Sequence, residues 1–352
     1  MDHLHQLNHR SGRSLNSVLS FFLAISLSAA MISCEKVLIK PDASDDPVSV
    51  FEEVWSFTEK HYSFFEYKNV DWHSIYNHYK PYVRDEMSPV ELFDLCADML
   101  YELKDGHVNL TSSFDRSRYW EWYLDSPDNF SYSLIERNYF RGNQRYVGPF
   151  RFLDMGDVTY VYYSSFANPI TDNSLNILIS NLKNKKGLII DVRNNGGGST
   201  VNAKKITSRF TGEKRLVGYN HVKTGPGYND FRRHPVYIEP YDGERFTGDV
   251  IVLTNRRSYS ATTYFTQYMN ALPNVTFVGD TTGGGGGMPA FHDLPNGWLL
   301  RVSSSRFYSP DGINIESGIP PHISVDMSAE SMAEGMDDIL EKAIEILRSG
   351  NQ

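Results

Sequence analysis

An apolar strand that runs directly into three glycines is the feature that most limits how this chain can fold. The segment is Lys186–Ser199, KGLIIDVRNNGGGS, and a helical pattern begins at Thr200. Glycines at such a turn leave backbone N–H groups in open space, where they can hold an anion or a developing oxyanion. A nucleotide loop is the competing interpretation, but Val201 replaces the third glycine of G-x-G-x-x-G and no GK[ST] follows. The turn therefore favours an oxyanion site over a phosphate site.

Two different patterns divide the chain near residue 105. Before it, apolar residues recur with helical spacing, which predicts a small helical domain over residues 48–104. After it, strand-like runs such as KGLIIDV and GDVIVLT alternate with helical stretches at Asn173–Lys183 and Ala261–Ala271. A further run, GWLLRVSSSRFYS, is also typical of a strand. The alternation predicts a core of the α/β class over residues 105–352.

Composition excludes several classes of protein. Of 352 residues, 40% are hydrophobic and 13% aromatic, which excludes a disordered or fibrous chain. The 43 Asp and Glu outnumber the 34 Lys and Arg, so the net charge is −9 and the chain lacks the basic excess of a general nucleic-acid binder. Two cysteines allow neither a disulfide framework nor a Cys-rich zinc site, and no HExxH motif occurs. We expect no nucleic-acid partner, no metal and no cofactor.

Residues 1–33 are predicted to be a signal peptide. Arg10 and Arg13 precede the apolar stretch Val18–Ile32, which is shorter than the ~20 residues that a spanning helix needs. A membrane-anchoring helix is the alternative interpretation. The following residues, 34–47, are polar and predict a tether.

The end of the apolar stretch resembles the lipobox of bacterial lipoproteins, since a small residue, Ser33, precedes Cys34. Met31 stands where leucine is usual. The resemblance implies cleavage before Cys34 and acylation of its thiol. We therefore expect a lipid-anchored protein in the envelope of a Gram-negative bacterium, on the periplasmic side or in the outer membrane.

Three polar residues in turns could supply nucleophilic and acid–base chemistry. His107 follows the last N-terminal helix, and an ordinary histidine pKa near 6.5 suits proton transfer, although a lone histidine is more often structural. Ser260 opens a helix after the strand VIVLT, with the N–H of Ala261 as a donor, which suits a nucleophile. Ser260 or Ser258 could equally be a helix N-cap. Glu316 precedes a Gly-Ile-Pro-Pro turn and could orient a histidine or be an ordinary loop acid.

Five segments in this order, DGHV, IIDVRNNGGGS, TNRRSYSA, VGDTTGGGGG and IESGIPP, resemble the S41 family of serine peptidases, which includes C-terminal processing peptidases and the tricorn core protease. The resemblance implies a crotonase/ClpP-like α/β core behind a small N-terminal helical domain. It implies Ser260 as nucleophile, His107 as general base and Glu316 as the carboxylate that orients the histidine. It also implies an oxyanion hole formed by the N–H groups of Gly197 and Ala261.

Three features depart from the family pattern. The C-terminal processing branch uses a Ser–Lys dyad, but the corresponding loop here, Thr281–Met288, contains no lysine, which leaves His107 as the base. The tricorn branch has a serine just before its histidine, where this chain has Gly106. Many relatives carry a PDZ domain before the core, and Thr111–Gly148 is shorter than the ~50 residues of an independent domain.

The resemblance and the residues together predict a serine endopeptidase that hydrolyses peptide bonds of envelope proteins or peptides through an acyl-enzyme. A non-catalytic ligand-binding lipoprotein on a peptidase scaffold is one alternative, and the intact set of Ser260, His107 and Glu316 argues against it. A serine esterase is another, disfavoured by the lack of a G-x-S-x-G motif.

Overall fold

Three helices open the computed structural model, which describes residues 44–350. Asp46, Asp71 and Ser88 each cap one of them by accepting a hydrogen bond from a free backbone N–H of the first turn. The helices are α1 (Pro47–His61), α2 (Trp72–Tyr79) and α3 (Pro89–Tyr101).

The largest sheet has seven strands. Across the sheet the order is β14 (Ile323–Ser324), β10 (Val275–Gly279), β9 (Asp249–Thr254), β6 (Gly187–Asp191), β5 (Val158–Tyr162), β4 (Phe150–Asp154) and β3 (Arg145–Val147). Five neighbouring strands run parallel to one another. At one edge β4 pairs antiparallel with β5, and β3 pairs antiparallel with β4.

Helices cover both faces of this sheet, as a mainly parallel sheet requires. Leu175, Ala203 and Phe265 pack in the cluster on one face, and Ile135 and Ile339 in the cluster on the other. The first face carries α5 (Asp172–Ser180), α6 (Thr200–Thr207) and α7 (Ala261–Asn270), and the second carries α4 (Tyr132–Leu134), the π-helical turn Ile135–Phe140 and α9 (Asp338–Ser349). The predicted α/β class is confirmed.

Two smaller antiparallel sheets complete the core. One has the order β11 (Pro289–Asp293), β12 (Leu299–Ser303), β1 (Asn109–Thr111) and β2 (Arg116–Arg118). The other has the order β13 (Ser305–Tyr308), β7 (Arg215–Lys223) and β8 (Phe231–Ile238). The remaining short elements are α8 (Ala329–Ala333) and 3₁₀ turns at Lys80–Tyr82, Glu121–Tyr123 and Ile315–Ser317.

The run GWLLRVSSSRFYS, expected to be one strand, is divided between these two sheets. Ser304 interrupts it, because its N–H donates to the carbonyl of Met288 at 2.8 Å instead of to a ladder. The residues before the break pair with β1 and β11, and those after it pair with β7. The prediction of a single strand was wrong.

The N-terminal helices pack against the four-stranded sheet. Val50, Phe93 and Met99 lie in one buried cluster with Leu110 and Leu300 of the sheet. Apolar side chains from both sides of residue 104 therefore form a common core. The domain boundary placed at this residue stays a prediction.

Candidate active site

Ser260 occupies a strained turn between β9 and α7. Its backbone has φ 59° and ψ −120°, a region that non-glycine residues rarely adopt. The N–H of Ser260 donates to the carbonyl of Gly284 at 2.9 Å, and its own carbonyl accepts from Tyr264 at 3.1 Å. The side chain makes no capping hydrogen bond to α7, so its Oγ is left for other chemistry.

Ser258, the other candidate in this turn, is a structural residue. It is fully buried, and its Oγ donates to the carbonyl of Val192 at 2.8 Å. The same oxygen accepts from the N–H of Asn255 at 3.1 Å. These bonds tie the turn to the strand that leads into the three glycines.

His107 is brought to Ser260 by the turn between α3 and β1. Its Nε2 lies 2.9 Å from Ser260 Oγ, across 153 positions of sequence. The backbone N–H of His107 donates to Asp105 Oδ1 at 2.8 Å, which fixes the turn. The ring is almost fully buried and lies 5.0 Å from the ring of Tyr259. The geometry is that of a nucleophile beside its base.

The environment of His107 keeps the imidazole neutral. Burial lowers the pKa of His107 to about 4; the Asp105 charge opposes this, and the charges of Arg301 and Arg118 add to it. The backbone carbonyl of Gly287 also raises this pKa slightly. Nδ1 makes no hydrogen bond of good geometry among residues 44–350. A neutral ring at pH 7 is the form that can accept a proton from serine.

Glu316 lies beside the site but contacts other groups than the histidine. Its Oε2 accepts from the N–H of Gly286 at 2.8 Å, and its Oε1 lies 3.0 Å from Lys68 Nζ. Burial raises the pKa of Glu316 to about 7, while Lys68 opposes the shift. Within the described chain, Glu316 makes no hydrogen bond to His107. Its assignment as the orienting carboxylate stays a prediction.

Lys68 and Asp105 are two charged residues that sequence reasoning missed. Lys68 lies between α1 and α2 and places its Nζ 3.5 Å from Asp105 Oδ2. Asp105 also accepts from Ser303 Oγ at 3.0 Å. An aspartate in a turn often accepts from the backbone N–H two residues on, and this Asx-turn pattern could have identified Asp105 as the residue that fixes the turn before His107. Nothing local in the sequence marks Lys68.

Backbone N–H groups of Ala261 and of the glycine turn are the candidates for an oxyanion hole beside Ser260. The N–H of Ala261 makes no hydrogen bond among the described residues, as expected of an oxyanion donor at the start of a helix. A Cβ on Gly197 would lie 2.8 Å from that nitrogen, so the glycine turn lies directly against Ser260. The N–H of Gly197 donates to Asn195 Oδ1 at 3.0 Å, whereas that of Gly198 makes no hydrogen bond in the described chain. Gly197 as donor stays a prediction.

The glycine tract Gly283–Gly287 passes through a space too narrow for side chains. At Gly284, with φ +82°, a Cβ would lie 1.8 Å from the carbonyl oxygen of Glu316. At Gly283 it would lie 2.3 Å from the ring of Trp122. Trp122 itself stacks on Tyr259 at 4.3 Å and so belongs to the wall of the site.

The glycine just before His107, Gly106, also lies where a side chain would not fit. A Cβ at this position would lie 2.8 Å from Tyr259 Oη and 3.0 Å from Trp122 Nε1. The space of a serine side chain at Gly106 is therefore taken by these two aromatic residues.

A cavity of about 710 Å³ opens beside the site. Lys68 and Glu316 line it together with Trp122, Tyr259 and Arg256. Its size is in the range of pockets that bind small ligands or peptide side chains.

Two findings concern other predicted features. Within residues 44–350 no helix is long and apolar enough to cross a membrane, and no group of three His, Cys, Asp or Glu residues could hold a metal. The predicted signal peptide, residues 1–33, and the predicted lipidation site, Cys34, lie outside the described residues.

Comparison with known proteins relates this geometry to peptidases. Residues 157–325 match the sequence profile of peptidase family S41, and residues 45–101 match that of the tricorn protease C1 domain. A solved structure of a candidate peptidase from Parabacteroides merdae ATCC 43184 is 43% identical, with a TM-score of 0.82 over 88% of this chain and 100% of that one.

Two curated proteases are more distant. The carboxy-terminal-processing protease of Bartonella bacilliformis is 26% identical over 189 residues, which cover 52% of this chain and 42% of that protein. The tricorn protease of Thermoplasma volcanium is 28% identical over 169 residues, which cover 46% of this chain and 15% of that protein. The chain spans less than half the length of these curated relatives.

Proposed function

The chain belongs to peptidase family S41, and on that premise we propose that it is a serine endopeptidase working through an acyl-enzyme. The observation that carries the proposal is the 2.9 Å distance between His107 Nε2 and Ser260 Oγ. A buried, neutral imidazole at this distance is suited to take the serine proton as Oγ attacks.

The proposed reaction has two steps. Ser260 Oγ attacks the scissile carbonyl while His107 Nε2 takes its proton, and the imidazolium then gives that proton to the leaving amine as the C–N bond breaks. Water next attacks the acyl carbonyl as His107 accepts a water proton, and the acyl C–O bond then breaks, so that the carboxylic acid leaves and Ser260 Oγ regains its proton from His107. The N–H of Ala261 and one from the glycine turn, with Gly197 as the predicted donor, stabilise the oxyanion in both steps.

Glu316 is the proposed carboxylate of this triad, acting through the glycine tract. Its Oε2 holds the N–H of Gly286, and the next residue, Gly287, presents the carbonyl that raises the pKa of His107. By fixing this loop, Glu316 would orient the imidazole without a direct hydrogen bond. Asp105 supplies the negative charge that favours the imidazolium.

Lys68 is a poor candidate for the base, although a Ser–Lys dyad operates in part of the family. Its Nζ is occupied by Glu316 at 3.0 Å and by the carbonyl of Lys104 at 3.1 Å. Burial lowers the pKa of Lys68, but the charges of Asp105 and Glu316 outweigh it and hold the pKa above its usual value. An ammonium group cannot accept the serine proton.

For the substrate we propose proteins or peptides of the bacterial cell envelope. The proposal rests on the signal-peptide pattern of residues 1–33 and on Cys34 as a lipid attachment site. Mass spectrometry of the membrane fraction from cells that express the full chain would test the envelope location on which this proposal depends. A mature N-terminus at an acylated Cys34 supports the assignment, and an unprocessed Met1 contradicts it.

Labelling with a fluorophosphonate probe tests the nucleophile and the base. We expect the wild type to be labelled, Ser260→Ala to be unlabelled and His107→Ala to react at least about 100-fold more slowly, since general-base assistance contributes that much. Ser258→Ala removes a serine from the same turn and should still be labelled.

Labelling that persists in Ser260→Ala would exclude this serine as nucleophile. No labelling of the wild type, together with no cleavage of unfolded casein, would favour the ligand-binding alternative over a peptidase.

A further inference from the structure

A second cavity, of about 490 Å³, lies between the end of α1 and the loop that joins β7 to β8. Helix α1 contributes Lys60 and His61 to its wall, and the strand and loop contribute Lys223 and residues 224–226. Every titratable side chain that the described chain places in this wall is basic. In the whole chain, by contrast, 43 Asp and Glu outnumber 34 Lys and Arg. This basic cavity is therefore suited to an anion.

Arg306 adds a fourth basic group beside Lys223. Burial and the charge of Arg306 both lower the pKa of Lys223, so the two cations lie close together. The ring of Phe231 supports both of them, since its centre lies 4.3 Å from Arg306 Cζ and 5.2 Å from Lys223 Nζ. The three strands of this sheet, β7, β8 and β13, hold five Lys or Arg and no Asp or Glu. The excess of positive charge extends beyond the cavity wall.

The cations around the cavity have only neutral partners. Lys223 Nζ donates to the carbonyl of Gly227 at 2.9 Å, and Arg306 Nε donates to the carbonyl of Ser63. Within residues 44–350 none of the four basic residues forms an ion pair with a carboxylate. Their charges are therefore left for a ligand to balance.

The two acids that act on Lys223 are bonded to neutral donors. Asp230 Oδ2 accepts from the N–H of Gly227 at 2.8 Å, and Glu66 Oε1 accepts from Asn229 Nδ2 at 2.8 Å. Both acids raise the pKa of Lys223, but burial and the neighbouring guanidinium outweigh them and hold it below its usual value. The acids therefore do not cancel the positive charge at this position.

His61 is affected by the same crowding of like charges. Burial lowers its pKa, and the charges of His292, Lys223 and Lys60 lower it further. Glu53, the acid on this side of α1, is bonded to His292 Nε2 at 2.8 Å. The negative end of the helix dipole favours cations in the last turn of α1, but it does not explain the cations on β7 and β13. Three elements therefore bring positive charges to one space.

The loop supplies an uncharged donor at the same wall. The N–H of Gly225 makes no hydrogen bond in the part of the chain that the structure describes. A phosphate monoester carries a charge of about −1.5 to −2 and three acceptor oxygens, so it can meet two ammonium groups and a backbone N–H together. A carboxylate has one charge and two oxygens. Lysine is a common phosphate ligand, and the cavity is large enough for a small organic molecule.

We propose that the basic cavity binds the phosphate group of a phosphate monoester. Lys60 and Lys223 contact its oxygens, and the N–H of Gly225 donates to the same group. Arg306 acts through its charge. The phosphate can belong to a soluble ester or to a lipid headgroup. This site is independent of the proposed peptidase function, because within the described chain no residue of the candidate active site lines the cavity.

Three phosphate probes distinguish the sources. Calorimetry on the purified full chain measures binding of inorganic phosphate and of glycerol 3-phosphate, with glycerol as the uncharged control. Cosedimentation compares phosphatidylcholine vesicles with and without phosphatidic acid. We expect a Kd below about 1 mM for whichever ester the cavity accepts. Tighter binding of glycerol 3-phosphate than of inorganic phosphate identifies a soluble ester, and sedimentation that needs phosphatidic acid identifies a lipid headgroup. Binding of inorganic phosphate alone, or of none of the probes, overturns the proposal.

Variants of the two lysines test the assigned contacts. Lys60→Met and Lys223→Met should each weaken binding of the accepted ester about 10-fold, because a charge-assisted hydrogen bond is lost. Lys214→Met removes a charge just before the far end of β7, where Lys214 pairs with Glu239, and should change nothing. Equal losses in all three variants would mean attraction by net charge only and would overturn the assigned site.

The ring of His61 reports where the phosphate binds. An anion in the cavity favours the imidazolium, so saturating ester should raise the pKa of His61 in an NMR titration. His78, exposed on α2, should keep its pKa. No rise at His61, or an equal rise at both residues, contradicts the proposal. Ser260→Ala should bind the ester as the wild type does, so these measurements stand whether or not the chain is an active peptidase.

Discussion

The backbone of Ser260 is strained, and the strain can be measured. At φ 59° a Cβ is unfavourable, so glycine should be tolerated better than alanine there. We expect Ser260→Gly to be more stable than Ser260→Ala by about 1 kcal/mol in urea unfolding. Ser74, exposed in α2, is the control, where Gly should be less stable than Ala by about 0.5–1 kcal/mol. The same order at both positions would contradict the strain.

His107 should determine the acid limit of activity. Its pKa is lowered to about 4, mainly by burial, so the neutral base persists well below the usual histidine range. The rate of fluorophosphonate labelling should fall on acidification with a midpoint below 6.5. Arg301→Gln removes a charge that disfavours the imidazolium, so the pKa of His107 and the midpoint should both rise. Arg232→Gln, which removes a charge from the exposed strand β8, should leave the midpoint unchanged. A wild-type midpoint above 6.5 would be inconsistent with the buried ring.

At the scale of elements, the tract Gly283–Gly287 needs glycine mainly because neighbouring groups leave no room for a Cβ, and less because of its backbone angles. Gly284 and Gly297 have almost the same φ, +82° and +81°, but a Cβ meets Glu316 at the first and nothing within 4 Å at the second. Gly297→Ala should therefore cost about 1 kcal/mol of stability for backbone strain alone. Gly284→Ala should cost about 2–3 kcal/mol more and abolish labelling of Ser260. Equal losses would show that the loop can move aside.

The sequence predicted where the helices and strands lie better than it predicted which of them pair with one another. The strand, the glycine turn and the helix after Ser260 follow from local patterns, and the α/β class followed from them. The division of residues 297–309 between two sheets did not, because pairing depends on strands far away in the chain. For the same reason His107 and Ser260 could be named from the family resemblance, whereas Lys68 could not. The contacts of Lys68 arise only across the fold.

At the scale of the whole molecule, ion pairs of Lys68 with Asp105 and Glu316 link the N-terminal helices to the candidate active site. Lys68→Met leaves Glu316 and Asp105 without their cation, and losing one partner of a buried pair costs about 3–5 kcal/mol. Glu316 has a raised pKa of about 7, so its contribution to stability decreases as pH rises from its ordinary value near 4.5 through 7. Without Lys68 that pKa rises further.

Urea unfolding of Lys68→Met at two pH values tests this connection. The loss of stability relative to wild type should be larger at pH 8 than at pH 5, where Glu316 is already protonated. Lys60→Met, on the exposed side of α1, should show little loss at either pH. A loss that does not depend on pH would mean that Lys68 contributes mainly through packing.

The contacts that Lys68 makes also set the order in which activity can arise during biosynthesis. The turn that holds the lysine is made early, whereas Glu316 belongs to a segment made near the end, and Tyr67 and Ser317 in these two segments bond across 250 positions. A growing chain therefore contains Ser260 and His107, the proposed nucleophile and base, before it contains Glu316, the carboxylate that pairs with Lys68. If the proposed function holds, we expect cleavage to begin only after the segment that carries Glu316 has been synthesised and folded.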